Sequence, residues 1–155
     1  MQSPDHERYM NLALAEAQKA FDENEVPVGA VIVRDNRVVG RGYNRIEALQ
    51  DATAHAEIVA IGAASASVGS WRLDECFLYV TLEPCLMCLG AILQCRVNTV
   101  VYGAADPRLG AFASHPYREA AASAYGRFPS VESGILAIQS RDLLQKFFEK
   151  IRKKR

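Results

Sequence analysis

The sequence predicts one layered α/β domain, in which helices cover a β-sheet that contains some parallel strands. Three observations lead to this class. Strand-like runs alternate with helical patterns, no linker rich in Gly, Ser or Pro divides the 155 residues, and 50% of the residues are hydrophobic while 23% are charged. This composition is typical of a compact domain with its own core, and it excludes disordered, collagen-like and disulfide-scaffold proteins.

The N-terminal part of the sequence predicts a helix followed by a β-hairpin. Apolar residues recur at helical spacing between Asp5 and Asn24, with charged residues between them, and Pro27 ends this pattern. Val26–Val33 and Val38–Tyr43 are β-rich runs separated by a polar link of hairpin length. Two antiparallel strands are therefore expected after the first helix.

The rest of the sequence alternates between strands and helices. Further strands are predicted at Cys76–Leu82, Thr99–Gly103 and Val131–Ile138. Further helices are predicted at Thr53–Ser67, Pro84–Cys95 and Asp142–Lys153, with a loop at Ala105–Tyr117. A helix that connects two neighbouring strands makes them parallel, so the sheet is expected to be mixed.

Charge is balanced over the whole chain but not along it. Lys and Arg together number 18, as do Asp and Glu, which excludes a uniformly basic or a uniformly acidic protein. Residues 146–155 nevertheless contain six basic residues and one acidic residue. The C-terminal helix and tail, 142–155, are therefore expected to form a basic patch, although a solvated helix end explains the same charges without any partner.

No feature of the sequence indicates a membrane segment or an export signal. No apolar run approaches the roughly 18 residues that span a membrane, and Met1–Glu7 lacks a basic segment followed by an apolar one. The protein is therefore expected to be cytoplasmic, with its four cysteines reduced. Reduced cysteines act as metal ligands, as catalytic groups or as core residues, and their spacing helps to distinguish these roles.

Two short segments place metal-ligating residue types at the starts of predicted helices. Cys85 and Cys88 are three residues apart, so their sulfur atoms share one helix face, and the positive N-terminus of a helix favours thiolates. His55 lies at the start of the preceding predicted helix and offers an imidazole. Two thiolates and one imidazole make a tetrahedral zinc site with one position open, which is typical of catalytic zinc.

Glu57 is the predicted proton carrier of this site. His55 and Glu57 are two residues apart and would point about 200° apart inside a regular helix. Both face one metal only if His55 lies in an irregular first turn, and Thr53 is a suitable cap for a helix that starts there. Glu57 would take a proton from water, return it to a ring nitrogen of the substrate and help an exocyclic amine leave as ammonia.

Each part of this pattern has a simpler explanation when it is taken alone. A histidine near a helix start is usually a capping or packing residue, and an isolated Cys-x-x-Cys also occurs in redox pairs, structural zinc sites and ordinary helices. The combination of His-x-Glu with a later Pro-Cys-x-x-Cys matches the signature of zinc deaminases. Cys95 lies roughly 10 Å beyond Cys88 along the helix, too far to complete a structural site, so Cys76 and Cys95 are interpreted as core residues.

Three segments resemble the bacterial tRNA-specific adenosine deaminases of the TadA type, namely Glu25–Val31, Thr53–Ile58 and Val80–Ala91. The resemblance implies a single deaminase domain over residues 1–155, with a cytidine-deaminase-like fold of three α/β/α layers around a mixed five-stranded sheet. It also implies a homodimer with one Zn²⁺ per subunit. The implied reaction is hydrolytic deamination of the wobble adenosine to inosine in the anticodon stem-loop of a tRNA, without a nucleotide cofactor.

The resemblance also implies roles for individual positions. The zinc ligands are expected to be His55, Cys85 and Cys88, and the proton carrier Glu57. In the base pocket, Asn44 is expected to be the base-reading amide, Val28 to line the pocket and Ala56 to make a further contact. Asp106 is expected to lie near the ribose-phosphate chain. Phe147 and Phe148 are expected to stack on bases, next to the basic tail. A packed amphipathic helix is the simpler explanation of the two phenylalanines.

Two segments depart from the family pattern, Arg108–Pro116 and Gly126–Phe128. Both are expected to lie beside the anticodon loop. The departures therefore affect the expected RNA contacts and leave the expected zinc site unchanged.

Two other functions share part of these features. A deaminase of a free base or nucleoside, of the guanine or cytosine type, uses the same zinc chemistry but needs no basic tail, and its activity should be nearly independent of salt. A zinc-stabilised RNA-binding module would have no catalytic activity. The substitution Glu57→Gln separates such a module from an enzyme, because only an enzyme has activity to lose.

Overall fold

The computed structural model describes residues 5–154 of the chain. Met1–Pro4 and Arg155 lie outside the described residues. The first four residues of Met1–Glu7, the segment considered for an export signal, and the last cation of the basic tail therefore also lie outside them. Over residues 5–154, no helix combines the length and the apolar character needed to cross a membrane.

The described residues form helices and strands in an alternating order. The helices are α1 (His6–Asp22), α2 (Ile46–Leu49), α3 (Ala56–Val68), α4 (Leu86–Cys95), α5 (Arg118–Tyr125) and α6 (Ala137–Lys153). The strands are β1 (Gly29–Arg34), β2 (Arg37–Tyr43), β3 (Phe77–Leu82), β4 (Thr99–Ala104) and β5 (Ser130–Glu132).

The strands form one five-stranded sheet in the order β2-β1-β3-β4-β5. β1 pairs antiparallel with β2 and with β3, whereas the pairs β3–β4 and β4–β5 are parallel. α4 connects β3 to β4 and α5 connects β4 to β5, which is why these neighbours run in the same direction. The predicted hairpin and the predicted mixed five-stranded sheet are confirmed.

Helices cover both faces of the sheet. Along β1, Val31 and Val33 belong to the core beneath α1, whereas Ala30 and Ile32 belong to the core beneath α3 and α4, because successive side chains of a strand point to opposite faces. α6 packs beside α1 and against β4. The predicted three-layer α/β/α arrangement is therefore confirmed.

The C-terminal third contains the main departures from the predicted elements. The sequence patterns predict neither α5 nor, earlier in the chain, the short α2. The last strand covers Ser130–Glu132 instead of Val131–Ile138, since Gly134 has a φ of 83° and Leu136 one of 53°. Backbone in this left-handed region cannot continue a strand, and α6 begins earlier than predicted, at Ala137.

Two glycines of β2 allow α3 to lie directly against the sheet. A Cβ atom at Gly40 would lie 2.6 Å from the carbonyl oxygen of Ala60, and one at Gly42 would lie 2.5 Å from that of Ala56. Any side chain at these positions would push α3 away from the sheet. The two glycines thereby fix the position of the helix whose first turn contains Glu57.

Candidate metal centre

Two helix starts bring the predicted metal ligands together. α3 begins at Ala56 with His55 as its N-cap residue, and α4 begins at Leu86 with Cys85 as its N-cap residue. Both N-cap residues have an extended backbone, and neither side chain makes a capping hydrogen bond, so both side chains are free for other contacts. The irregular helix start that the spacing of His55 and Glu57 demands is present.

The cap itself differs from the prediction. Thr53 lies two residues before the N-cap position of α3, and its hydroxyl donates to the Asp51 carboxylate at 2.7 Å. Pro84 likewise precedes the N-cap residue of α4 instead of beginning the helix. These shifts leave the ligating residues themselves at the helix starts.

The three ligating atoms form a compact cluster. His55 Nδ1 lies 3.7 Å from Cys85 Sγ and 3.5 Å from Cys88 Sγ, and all three atoms lie within 4.8 Å of one another. Tetrahedral zinc with ordinary bond lengths would place a nitrogen and a sulfur ligand about 3.6 Å apart. The donor types and their spacing therefore fit zinc. The cluster uses Nδ1 of His55, a choice that the sequence patterns leave open.

The electrostatics of the cluster favour a thiolate. Hydrogen bonding from Cys88, supported by His55, lowers the pKa of the Cys85 thiol to about 4. The pKa of Cys88 is raised, because its proton is held in the contact with Cys85 and because it is buried. The contact with Cys85 also raises the pKa of His55. Of the two sulfur atoms, that of Cys85, at the positive N-terminus of α4, is therefore the one favoured as a thiolate.

Glu57 lies in the first turn of α3, with 4% of its surface exposed. Burial raises the pKa of its carboxyl, and the neighbouring charged groups are His55 and Cys85. A buried carboxyl next to a cluster of metal-ligating atoms is well suited to hold and release a proton.

The other two cysteines lie in the core, as their positions in the sequence predict. Cys76 is 1% exposed and Cys95 is 6% exposed. The thiol of Cys95, at the end of α4, lies 3.6 Å from the carbonyl oxygen of Ile92. Within residues 5–154, neither belongs to the cluster of ligating atoms.

Asn44 lies beside the metal cluster with one side of its amide already bound. Its Oδ1 accepts the backbone N–H of Ala56 at 2.8 Å. The backbone N–H of Asn44 donates to the carbonyl oxygen of Val28 at 3.1 Å. The Oδ1 bond fixes the orientation of the amide, so its NH₂ group faces away from Ala56. Val28 is 5% exposed, and its carbonyl group holds Asn44 in place.

Ala56 does not offer the substrate contact that the resemblance implies. Its side chain is completely buried in the core beneath α3, and its N–H is used by Asn44. The contribution of Ala56 is therefore to orient Asn44.

Two buried carboxylates, which no sequence pattern marks as functional, organise the loops around the cluster. Glu25 accepts the N–H groups of Glu47 at 3.0 Å and Ala48 at 2.8 Å. These bonds fix the position of α2, which begins two residues after Asn44. Glu83, two residues before Cys85, accepts backbone N–H groups from the loop that contains Asp106. The signal in both cases is a charged residue at the border of a buried β-rich segment.

Asp106 lies at the start of this loop, and one oxygen of its carboxylate accepts hydrogen bonds from the backbone of the same loop. Its Oδ1 accepts the N–H groups of Arg108 at 3.1 Å and Leu109 at 3.2 Å. Its second oxygen has no partner among residues 5–154. The geometry leaves one carboxylate oxygen for an external contact.

The two segments that depart from the family pattern meet in the structure. The segment Arg108–Pro116 borders the metal cluster, since Gly110 forms an isolated β-bridge with Cys85. In the segment Gly126–Phe128, the ring of Phe128 packs edge-on against Phe112 at 5.6 Å. The second segment therefore packs against the first through this pair of rings.

The prediction that both terminal phenylalanines stack on RNA bases is wrong for Phe147. This residue is 2% exposed and packs edge-on against Phe21, with ring centroids 6.0 Å apart. Phe148, one position later on the helix, is 46% exposed. Only Phe148 is accessible to a base, and the simpler explanation of a packed amphipathic helix holds for Phe147.

Comparison with known proteins identifies the family. Residues 3–104 match the family described as the cytidine and deoxycytidylate deaminase zinc-binding region. A tRNA-specific adenosine deaminase of Agrobacterium fabrum is 44% identical over 144 residues, which cover 93% of this chain and 94% of that protein. The chloroplastic tRNA(adenine(34)) deaminase of Arabidopsis thaliana is 45% identical over 92% of this chain, which spans 12% of that longer protein.

A solved structure from studies of A-to-I editing by tRNA:A34 deaminases has the same fold. It matches with a TM-score of 0.83 and 44% identity, and the match covers 88% of this chain and 98% of that chain. The sequence resemblance and the cytidine-deaminase-like fold are both confirmed. The chain belongs to the cytidine and deoxycytidylate deaminase family with its zinc-binding region, in the group that contains the tRNA-specific adenosine deaminases.

Proposed function

We propose that this protein is a hydrolytic deaminase that converts the wobble adenosine in the anticodon loop of a tRNA to inosine. The observation that carries the proposal is the cluster of His55, Cys85 and Cys88 beside the buried carboxyl of Glu57. The two tRNA adenosine deaminases compared above match this sequence over 92% and 93% of the chain.

His55 Nδ1 and the sulfur atoms of Cys85 and Cys88 would hold one zinc ion per subunit. Zinc bound by three protein ligands activates water at its fourth position, which is the chemistry that this reaction needs. The residues of the chain then have to bind the base, orient it and move protons.

Glu57 moves the protons in this proposal. Its carboxylate takes a proton from the attacking water and delivers it to a ring nitrogen of adenine, and the water oxygen bonds to C6. Glu57 then takes the remaining proton from the hydroxyl group now bonded to C6 and delivers it to the exocyclic amine. The bond between C6 and that nitrogen breaks, ammonia leaves, and the hydroxyl oxygen becomes the carbonyl oxygen of inosine. The burial of Glu57 keeps bulk water away from these transfers.

Asn44 and Val28 form the base pocket in this proposal. The free NH₂ group of Asn44 donates to an acceptor atom of the purine, while the bond from Ala56 to its Oδ1 prevents the amide from flipping. Val28 packs against the base. Asp106 contacts the ribose-phosphate chain through the oxygen that its local turn leaves free.

The C-terminal end of α6 is the proposed RNA-contacting surface. Lys150, Arg152 and Lys153 lie in its last turn, and Phe148 offers an exposed ring before them. Stacking on an aromatic ring and neutralisation of phosphates are the usual means of binding single-stranded RNA. A deaminase of a free base or nucleoside would not need this surface, and the relatives do not favour that alternative.

Inosine formation in a defined RNA tests the proposal. The purified zinc-loaded protein is incubated with an anticodon stem-loop that carries adenosine at the wobble position, and the digested RNA is analysed by mass spectrometry. We expect inosine at that position and an equal amount of ammonia. Deamination of free guanine, cytosine or adenosine without any product in the stem-loop would overturn the proposal.

The basic end of α6 should determine the affinity for RNA. The double variant Arg152→Gln, Lys153→Gln is expected to raise KM for the stem-loop about tenfold at low salt, because two phosphate contacts and their released counterions are lost. The zinc content and kcat should stay within about twofold, since the cluster is unaffected. The matched control is Arg34→Gln, Arg37→Gln, which removes two cations from the β1–β2 hairpin. Equal KM values for both double variants would contradict an RNA-binding role of α6.

We also propose that the protein acts as a homodimer through the outer face of α3 and α4. Trp71 is 62% exposed there and, with Ile61 and Ala91, lines a shallow apolar cavity of about 540 Å³. Light scattering is expected to give a mass of about twice 17.1 kDa. Trp71→Glu should shift the protein toward the monomer, whereas Ile138→Glu, at a position on α6 that is 66% exposed, should not. A monomeric wild-type protein would contradict the proposal.

A further inference from the structure

The carboxylate of Glu83 is surrounded by donors from one loop. Its Oε2 accepts the backbone N–H groups of Phe112 at 3.0 Å, Ala113 at 2.9 Å and Ser114 at 3.0 Å. Its Oε1 accepts the N–H of Asp106 at 3.1 Å and the hydroxyl of Ser114 at 2.5 Å. Glu83 is 2% exposed, so these five hydrogen bonds replace its hydration completely.

The loop closes so tightly around this carboxylate that one position excludes any side chain. A Cβ atom at Gly110 would lie 2.3 Å from the carboxyl carbon of Glu83. The same stretch of the loop is bonded to the metal segment, since Ala111 donates its N–H to the carbonyl oxygen of Pro84 at 2.9 Å and Gly110 bridges to Cys85. The loop thus contacts three consecutive residues that end at a proposed metal ligand.

Glu83 is also tied to the sheet. It follows β3 directly, and its N–H donates to the carbonyl oxygen of Ala104 at the end of β4, at 2.8 Å. Within residues 5–154, Glu83 does not belong to the cluster of ligating atoms. The carboxylate therefore has no direct task in the metal cluster, and all of its described contacts hold the loop.

We propose that Glu83 is a positioning residue that joins the Asp106 loop to the metal segment, so that the substrate contact and the metal ligands keep one fixed spacing. The step from Asp106 to RNA binding rests on the proposed function. The attachment of the loop to Glu83 rests on the hydrogen bonds and on the close approach of Gly110 alone. These two parts can be tested separately.

A carboxylate is required here because all five groups that surround it are donors. In Glu83→Gln, an NH₂ group must replace one of the two oxygens. At the Oε2 position it would face three backbone N–H groups, so the variant is expected to keep its oxygen there and to turn its NH₂ group toward Asp106. The hydroxyl of Ser114 can rotate to accept from this NH₂ group, but the N–H of Asp106 cannot. Glu83→Gln should therefore release specifically the Asp106 end of the loop.

The test combines amide hydrogen exchange with kinetics on the zinc-loaded protein. In Glu83→Gln, the exchange rate of the Asp106 amide should rise at least tenfold, because one charge-assisted hydrogen bond is lost. The exchange rates of the Phe112 and Ala113 amides should change less. KM for the stem-loop should rise at least fivefold, with kcat and zinc content within twofold. A purely structural role would lower the amount of active protein without changing KM.

A second variant reaches the same contact from the other side. Gly110→Ala leaves the carboxylate intact but forces it away from the loop, and it should raise both the Asp106 exchange rate and KM. The control Gly62→Ala adds the same methyl group on α3, where no atom lies within 4 Å, and should change neither quantity. Glu16→Gln alters another buried carboxylate, on α1 beside Lys19, and should leave KM unchanged.

The outcomes distinguish the two parts of the proposal. An unchanged Asp106 exchange rate in both Glu83→Gln and Gly110→Ala would overturn the attachment of the loop. Faster exchange with an unchanged KM would overturn the substrate-positioning role. If the wild-type protein forms no inosine in any RNA, the proposed function fails, while the exchange rates still decide whether Glu83 holds the loop.

Discussion

Glu57→Gln is expected to lower the rate of inosine formation by about 10⁴-fold while zinc stays bound. General acid–base catalysis contributes about 10²–10⁴-fold, and Glu57 is proposed to act in both protonation steps, so the upper end applies. An amide of the same shape can neither take nor return a proton. Single-turnover measurement of inosine, with metal analysis of the same sample, checks both parts of this result.

Binding of the stem-loop separates this effect from a loss of the pocket. Glu57→Gln should bind the RNA within about threefold of the wild-type Kd, because Asn44 and Val28 are unaffected. Residual activity above about a tenth of the wild-type rate would show that another group moves the protons. An RNA-binding module without catalysis would show no inosine with either chain, so the wild-type measurement also tests that alternative.

The metal cluster is the part of the site that the sequence predicts best. The spacings His55-x-Glu57 and Cys85-x-x-Cys88 act through local backbone geometry, and the structure places both pairs at helix starts as the spacing requires. The identity of the cap is less predictable, because several residues before a helix have suitable side chains. Thr53 satisfies the pattern and yet bonds to Asp51.

Features that depend on distant residues are not encoded in any local pattern. α2 is a four-residue helix whose N–H groups are held by Glu25, 22 and 23 positions earlier in the chain. The Asp106 loop is likewise held by Glu83, 23 positions before Asp106. A sequence pattern shows that these carboxylates exist, but only the fold shows which backbone donors surround them.

The two phenylalanines of α6 illustrate a signal that helical spacing does contain. Ser140 and Phe147 are buried and seven positions apart, which places them on one face of the helix. Phe148 falls about 100° away from that face and is exposed. The helical spacing of the buried positions therefore predicts that Phe147 is packed and Phe148 is accessible. Treating the two phenylalanines as one motif misses this difference.

Cys88→Ala is expected to remove the zinc together with the activity. Cys88 is completely buried in the first turn of α4, and without its sulfur the cluster retains two ligands, His55 and Cys85. Two protein ligands do not form the closed tetrahedral set that holds zinc tightly. The zinc content should fall below about a tenth of an ion per chain, and the midpoint of thermal unfolding should fall because metal binding no longer stabilises the folded state.

Cys95→Ala is the matched control, since it removes a buried thiol from the other end of the same helix. It should cost roughly 1 kcal/mol of stability through lost packing, and it should keep both the zinc and the rate of inosine formation. Cys88→Ala loses zinc and activity, Glu57→Gln loses activity alone, and Cys95→Ala loses neither. Full zinc content in Cys88→Ala would contradict the assigned ligand set, because only a different set of residues could then hold the metal.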